Sequence, residues 1–371
     1  DVTDNTTVSL GYDYQENNTG NPTWGGLPTW YTDGSRTHYD RSTNTSADWT
    51  NYAIQSRKVF ANVKHDFDNG WTFRVNGTHG EQTFNDKLLY LMDFPDHTTG
   101  TGLSGFGSKD RGTRKVDSLD TYATGPFELF GRQHQMVAGV SYSRQHNQTY
   151  SADGSLDSDT IGSFGNSWNG NVSEPEWGDW YLNADDVIRQ KAGYFATRFS
   201  LADPLSLIVG ARYTQWSTNG SSGSMSKNNI TPYGGLVYDI NDTWSAYASY
   251  TSIFQPQTDR DINGHYLSPT TGKNYETGLK SAWMDGRLTA TMAVFRIEQD
   301  NVAQEDGSNY VNGSSEQAYV AVSGTVSKGA EFEINGAVTD NLQMTFGATR
   351  YVAKDETGSR LNSNMPQTQL K

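Results

Sequence analysis

Apolar and polar residues alternate with a period of two along most of this chain, and no other sequence feature constrains its fold as tightly. Leu205, Leu207, Val209, Ala211 and Tyr213 fall on one face of an extended segment. Ser206, Ile208, Gly210, Arg212, Thr214 and Trp216 fall on the other. The pattern returns with Val59, Ala61, Val63, His65 and Phe67 set against Lys58, Phe60, Asn62, Lys64 and Asp66. It returns again over Leu288–Val294, Ala330–Ile334 and Leu342–Ala348. About thirteen such segments can be read, with a fourteenth starting near Gln367.

The connections sort by parity. Tight turns fall at Asp68-Asn69-Gly70, Gly131-Arg132-Gln133, Ala202-Asp203-Pro204, Asn241-Asp242, Met284-Asp285-Gly286 and Thr339-Asp340-Asn341. Between them lie long, polar, glycine-rich stretches at 17–51, 86–110, 151–186, 218–229, 256–272, 303–316 and 355–365. A soluble sandwich has no reason to alternate short and long connections, and its strands are shorter than the roughly 12–17 residues available here. The pattern predicts an all-β, transmembrane, antiparallel up-and-down barrel with short periplasmic turns and long extracellular loops.

Composition agrees. Only 34% of the 371 residues are hydrophobic, yet there are 21 Tyr, 15 Phe and 10 Trp, too many aromatics for a disordered chain. The 38 Gly argue against a helical bundle. The charge, 28 − 42 = −14, disfavours a nucleic-acid partner, and the absence of cysteine removes disulfides and thiolate chemistry. No apolar run reaches the roughly 18 residues of a spanning helix, and Asp1-Val2-Thr3-Asp4 does not read as a signal peptide. A spanning strand needs only about 9–11 residues, so low mean hydropathy is compatible with full insertion. Trp71 and Trp244 follow short turns and Trp283 precedes one, which predicts a periplasmic-side aromatic girdle.

The segment GGLPTWYTDGSRTHYDRSTNTSADW at 25–49, with NYETGLKSAWMDGRLTATMAVFRIEQDN at 274–301 and SKGAEFEINGAVTDNLQMTFGATR at 327–350, resembles the barrel of TonB-dependent outer-membrane ferric-siderophore receptors. Within them it resembles the branch that takes up hydroxamate-type and pyoverdine-type siderophores, most of all receptors for ferric coprogen and ferric rhodotorulic acid. The resemblance implies a 22-stranded barrel closed by an N-terminal plug, in the outer membrane of a Gram-negative bacterium, importing iron chelates with energy from TonB. Residues 1–371 then read as an internal barrel segment, without the plug or the closing strands. As a free-standing sheet it would expose two unpaired edges to lipid. The alternative is a complete fourteen-stranded barrel acting as a passive channel. The partners so implied are a ferric siderophore, TonB through the plug, and outer-membrane lipid and lipopolysaccharide. The protein would be a monomer with no cofactor of its own, iron entering only as cargo.

A large, roughly neutral chelate calls for an aromatic cup, since rings offer apolar area at low entropic cost and indole N–H or phenol O–H can meet chelate oxygens. Trp216 is about twelve residues above the turn at Pro204 on the inward parity, and Arg212, four residues below it, could meet an anionic chelate. The remaining candidates sit in or at the edge of two long loops: Trp24, Trp30 and Tyr31 in one, and Trp168, Trp177, Trp180 and Tyr181 in the other. Lys64, Asp66, Arg74, Arg198, Glu276, Lys280, Glu331 and Glu333 share the inward parity and would line the lumen.

Enzymatic readings find no support. The seven histidines (38, 65, 79, 97, 134, 146 and 265) form no close-spaced metal motif, and no Gly-x-Ser-x-Gly elbow occurs. His38 with Asp40 reads as loop polarity, and Gly100–Gly107 as loop rather than phosphate cradle, because no helix follows it.

Overall fold

A computed structural model describes residues 2–221, 223–314, 316–322, 324–361 and 365–371. Asp1, Ser222, Ser315, Ser323 and residues 362–364 lie outside these, and so do the corresponding parts of the stretches expected at 218–229, 303–316 and 355–365. The strands run in chain order as β1 (Thr6–Gly20), β2 (Asn51–Asp66), β3 (Thr72–Met92), β4 (Ser104–Leu129), β5 (Arg132–Leu156), β6 (Tyr181–Ala202), β7 (Leu205–Gly220) and β8 (Gly223–Asp239). They continue as β9 (Trp244–Gln255), β10 (Thr270–Trp283), β11 (Leu288–Asp300), β12 (Val302–Tyr310), β13 (Gln317–Val322), β14 (Thr325–Thr339), β15 (Leu342–Lys354) and β16 (Thr368–Leu370). Fourteen of them form one antiparallel sheet in sequence order, and β12 with β13 forms a separate ribbon, so that β11 pairs with β14. Among the described residues the sheet has β1 and β16 at its edges and does not close.

All six predicted short turns join strands, and the fourteenth segment is the short β16. The long connections need correction. β3 to β6 have 21, 26, 25 and 22 residues, so the loops expected at 86–110 and 151–186 shrink to 93–103 and 157–180. The loop expected at 218–229 is a tight hairpin closed by the pair Gly220 and Gly223, and much of 303–316 is the β12–β13 ribbon. These strand ends project beyond the bilayer, where water and loops, not lipid, meet the outward face. A polar, glycine-rich composition therefore cannot distinguish solvated strand from loop there.

The two faces differ as the alternation predicts. The outward face carries exposed apolar side chains in a continuous band, including Leu10 (79% exposed), Val140 (62%), Phe195, Ile230, Met292 and Val294. At about 25 cal/mol per Å², so much apolar surface would be costly in water and is matched by lipid. At the lower edge Trp244 meets Trp283 edge-on at 5.5 Å, and Trp71 lies against Gly125. At the upper edge stands a second girdle that strand parity alone does not separate out: Tyr12, Tyr14, Tyr142, Tyr213 and Tyr275, with Tyr250 5.3 Å from Tyr275.

On the inward face, rings lie flat on glycines directly across the strand pair. The partners are Phe60 on Gly11, Phe84 on Gly112, Tyr194 on Gly139, Tyr233 on Gly210, Tyr247 on Gly278 and Phe295 on Gly329. At each of these glycines a Cβ would come within 3.0 Å of the ring. The register also puts all the expected lumen charges on this face, where Lys64 pairs with Asp66 at 2.6 Å and Tyr247 donates to Glu276 at 2.5 Å.

Candidate functional site

The extracellular ends of β3 to β6 and two loops come together in one region that holds most of the candidate aromatics. Loops 21–50 and 157–180 pack together over a core of Ala47, Leu89, Leu91, Leu103, Leu156, Ile161, Phe164 and Val172, on the outward side of β3 to β5. Backbone bonds stitch the loops, from Asp48 N–H to the Gly170 carbonyl (2.9 Å), and Asn166 Oδ1 accepts from Asp40 N–H and Thr43 Oγ1, each at 3.0 Å.

The nine candidates fall into separate groups. Trp168 belongs to the loop core: it stands 5.2 Å from Phe164, and its Nε1 donates to the Ser46 carbonyl at 2.8 Å. Trp177 meets Trp49 edge-on at 5.8 Å and donates to Glu174 at 2.7 Å. Trp180 covers the Arg111 guanidinium at 4.4 Å and the Lys109 ammonium at 5.2 Å, both outward residues of β4. Tyr181, the first residue of β6, donates to Asp153 at 3.0 Å. Tyr31 stacks on His97 at 4.2 Å, and Trp30 is exposed with Arg36 at 5.9 Å from its ring.

Three candidates face inward. Trp24 packs against Tyr90 (5.6 Å) and Phe106 (5.9 Å), which are cross-strand partners on the inward side of β3 and β4. Trp216 is inward on β7, paired with Gln190 and Lys227. Arg212 lies below it, 5.6 Å from the Tyr194 ring, and donates to Ser141 Oγ at 3.0 Å. Sequence reasoning misses Tyr90 and Phe106 because 86–110 reads as loop. Their alternation with Leu89, Leu91, Gly105 and Gly107 was the available signal.

Two carboxyls in this region depart from their ordinary behaviour. Asp86, 3% exposed on the inward side of the projecting part of β3, faces Asp110 across the strand pair. Burial first, and then the Asp110 charge, push its carboxyl up to about 7. Asp110 in turn accepts from Ser108 Oγ at 2.7 Å and from Ser151 Oγ. Asp33 is held down at about 2, chiefly by the Ser35 hydroxyl (2.5 Å) and N–H (2.8 Å), then by His97 at 3.0 Å. No group of three or more metal-ligating side chains occurs among the described residues.

A sheet with a lipid-facing band, two aromatic girdles and a polar inner wall defines an outer-membrane barrel wall. Residues 1–370 match the family model described as TonB dependent receptor-like, beta-barrel, and the chain belongs to that family. Its place is the outer membrane of a Gram-negative bacterium. It is 35% identical to the ferripyoverdine receptor of Pseudomonas aeruginosa over 100% of this chain and 46% of that protein. It is 26% identical to the ferrioxamine B receptor of Salmonella typhimurium over 87% of this chain and 44% of that one. The crystal structure of the ferripyoverdine receptor of the Pseudomonas aeruginosa outer membrane bound to ferripyoverdine superposes with a TM-score of 0.90 at 33% identity, covering 100% of this chain and 50% of that one. The chain thus spans about half the length of the relatives it matches.

Proposed function

We propose that this chain forms part of the wall of an outer-membrane receptor that binds a ferric siderophore of the pyoverdine type and imports it with energy delivered through TonB. The observation that carries this reading is the similarity over the whole chain to a receptor solved with ferripyoverdine. The coprogen and rhodotorulate specificity expected from the sequence is replaced by a pyoverdine-type one, because the pyoverdine receptor matches more of the chain, at higher identity, than the ferrioxamine receptor does. In this reading the inward aromatics Trp24, Tyr90, Phe106 and Trp216 form the apolar part of the cup, and Arg212 meets acidic groups of the chelate. Trp168, Trp177 and Trp180 hold the loops that frame it. No observation favours the passive channel, and the fourteen-stranded sheet does not close on itself among the described residues.

Tryptophan-fluorescence quenching of the intact receptor by ferric pyoverdine and by ferric coprogen tests this. Saturable quenching by the first, weakened at least tenfold by Trp24→Ala together with Trp216→Ala, is expected. Equal affinity for both chelates would reject the specificity, and unchanged affinity in the double variant would reject the cup.

A further inference from the structure

Asp86 on β3 and Asp110 on β4 are direct cross-strand partners on the inward side, in the part of the sheet that projects beyond the bilayer. Like charges directly opposite one another are destabilising unless something neutralises them. Asp86 is 3% exposed, its carboxyl meets that of Asp110, and its Oδ1 has no hydrogen-bond partner. A buried carboxylate oxygen without a partner is costly, and a cation beside it would remove the cost.

No side chain supplies that cation. Lys87, Lys109 and Arg111, next to the two acids in the chain, turn to the outward face: Lys87 pairs with Glu174 at 2.7 Å, and Lys109 and Arg111 lie over the Trp180 ring at 5.2 and 4.4 Å. On the inward face Arg114, four residues below Asp110 on β4, donates to Asn147 at 3.0 Å. Of the other titratable groups there, Tyr52 of β2 stands across from Asp86, and Asp153 of β5 accepts from Tyr181 at 3.0 Å. Among the described residues no ion pair involves Asp86 or Asp110.

Further hard oxygens stand beside the pair. Ser108 and Ser151 both donate their hydroxyl hydrogens to Asp110, Ser108 at 2.7 Å. Both serines are buried, and with their hydrogens turned to Asp110 their oxygen lone pairs remain available to a metal ion. Asp110 itself is half-buried, which leaves a route in from the lumen.

We propose that Asp86 and Asp110, with the Ser108 and Ser151 hydroxyls, form a Ca²⁺ site that clamps the outer ends of β3, β4 and β5. Two carboxylates match a divalent charge. Ca²⁺ accepts irregular oxygen sets, whereas Mg²⁺ demands near-octahedral geometry and keeps waters for which a buried pair has little room. No group of three or more acidic or histidine ligands occurs among the described residues, so the affinity expected is that of extracellular modules, about 10⁻⁴–10⁻³ M. Without the ion, burial and the Asp110 charge keep a proton on Asp86 up to a pH of about 7. Ca²⁺ takes that proton's place, so binding strengthens as pH rises through this value. The clamp steadies the strand ends that carry Tyr90 and Phe106, and it does not depend on what the cup accepts.

The test uses the intact receptor in detergent, stripped of divalent ions with a chelator, and reads hydrogen exchange over 83–92 and 104–113. At pH 8, about 5 mM Ca²⁺ is expected to slow exchange there at least tenfold relative to the stripped receptor, and the same concentration of Mg²⁺ less than threefold. At pH 5 the Ca²⁺ effect is expected to shrink at least fivefold. Asp86→Asn and Asp110→Asn, made separately, are each expected to exchange alike with and without Ca²⁺. Absence of Ca²⁺ protection in the unmodified receptor, protection that survives either substitution, or equal protection at pH 5 and pH 8 overturns the proposal. Mg²⁺ protecting as well as Ca²⁺ overturns the choice of ion. If one variant fails to fold, the other variant and the ion and pH comparisons on the unmodified receptor still decide.

Discussion

Asp86 and Asp110 are cross-strand partners on the inward side of β3 and β4, and their proximity, together with burial, keeps the Asp86 carboxyl protonated up to a pH of about 7. An unfolded aspartate ionises near 3.8, so between these values the folded strands hold a proton the unfolded chain does not. Stability of this region is therefore full below about pH 4, declines as pH rises to about 7, and is level above. The decline is on the order of 4 kcal/mol at most, since each pH unit of that interval is worth about 1.4 kcal/mol. Asp86→Asn is expected to remove the slope and to protect the projecting ends of β3 and β4 at pH 8. Hydrogen exchange of 83–92 and 104–113 at pH 5 and pH 8 reads this directly, and an unchanged slope in the variant would count against it.

Trp168 joins the two long loops through its ring and one N–H bond. Trp168→Ala is expected to cost about 3–5 kcal/mol of local stability, and Trp168→Phe only about 1 kcal/mol, because an aromatic ring is kept and one hydrogen bond is lost. Limited proteolysis should show loops 21–50 and 157–180 becoming sensitive together in the alanine variant. Sensitivity of one loop alone would mean that the backbone bonds, not the indole, hold them.

Tyr31 stacks on His97, His97 contacts Asp33, and Thr32 N–H donates to the Pro95 carbonyl at 3.1 Å, so the tip of the first long loop is pinned to loop 93–103. His97→Ala should free the tip while leaving the Trp168 core intact. A spin label at Thr37 would then gain mobility and one at Asn44 would not.

Gly139 receives the Tyr194 ring, whose hydroxyl donates to Asp120 at 3.0 Å. Gly139→Val would put a methyl-bearing carbon where the ring lies, forcing Tyr194 off the wall and breaking that bond. A loss of about 1–3 kcal/mol is expected, seen as a lower melting temperature of the intact receptor in detergent. Tyr194→Ala introduced alongside should recover part of it, and no recovery would mean the strain lies in the backbone.

Much of the architecture is legible in sequence because lipid on one side and polar groups on the other impose strict alternation, as at Leu205–Trp216, and because turns such as Asp68-Asn69-Gly70 carry their own chemistry. The alternation loses meaning where a strand leaves the bilayer. That is why Tyr90 and Phe106 are hidden in an apparent loop, and why 218–229 is a hairpin where a long connection is expected. The inward parity of Trp216 and Arg212 follows from counting residues within one strand. That Trp168, Trp177 and Trp180 gather on the outward side of β3 to β5 depends on how two loops some 120 residues apart dock, as in the Trp168–Ser46 bond, and no local pattern records that.

The rings laid flat on glycines have a consequence for whatever occupies the bore. Each of these six inward aromatics lies along the wall over a glycine, so the inner surface keeps the adhesive area of the rings with less protrusion at six positions. A body lodged against such a lining meets few protruding pegs, and withdrawing or turning it would shear polar contacts one at a time instead of lifting interlocked side chains. Under the proposed function, such a lining would suit an occupant that a modest pull can displace.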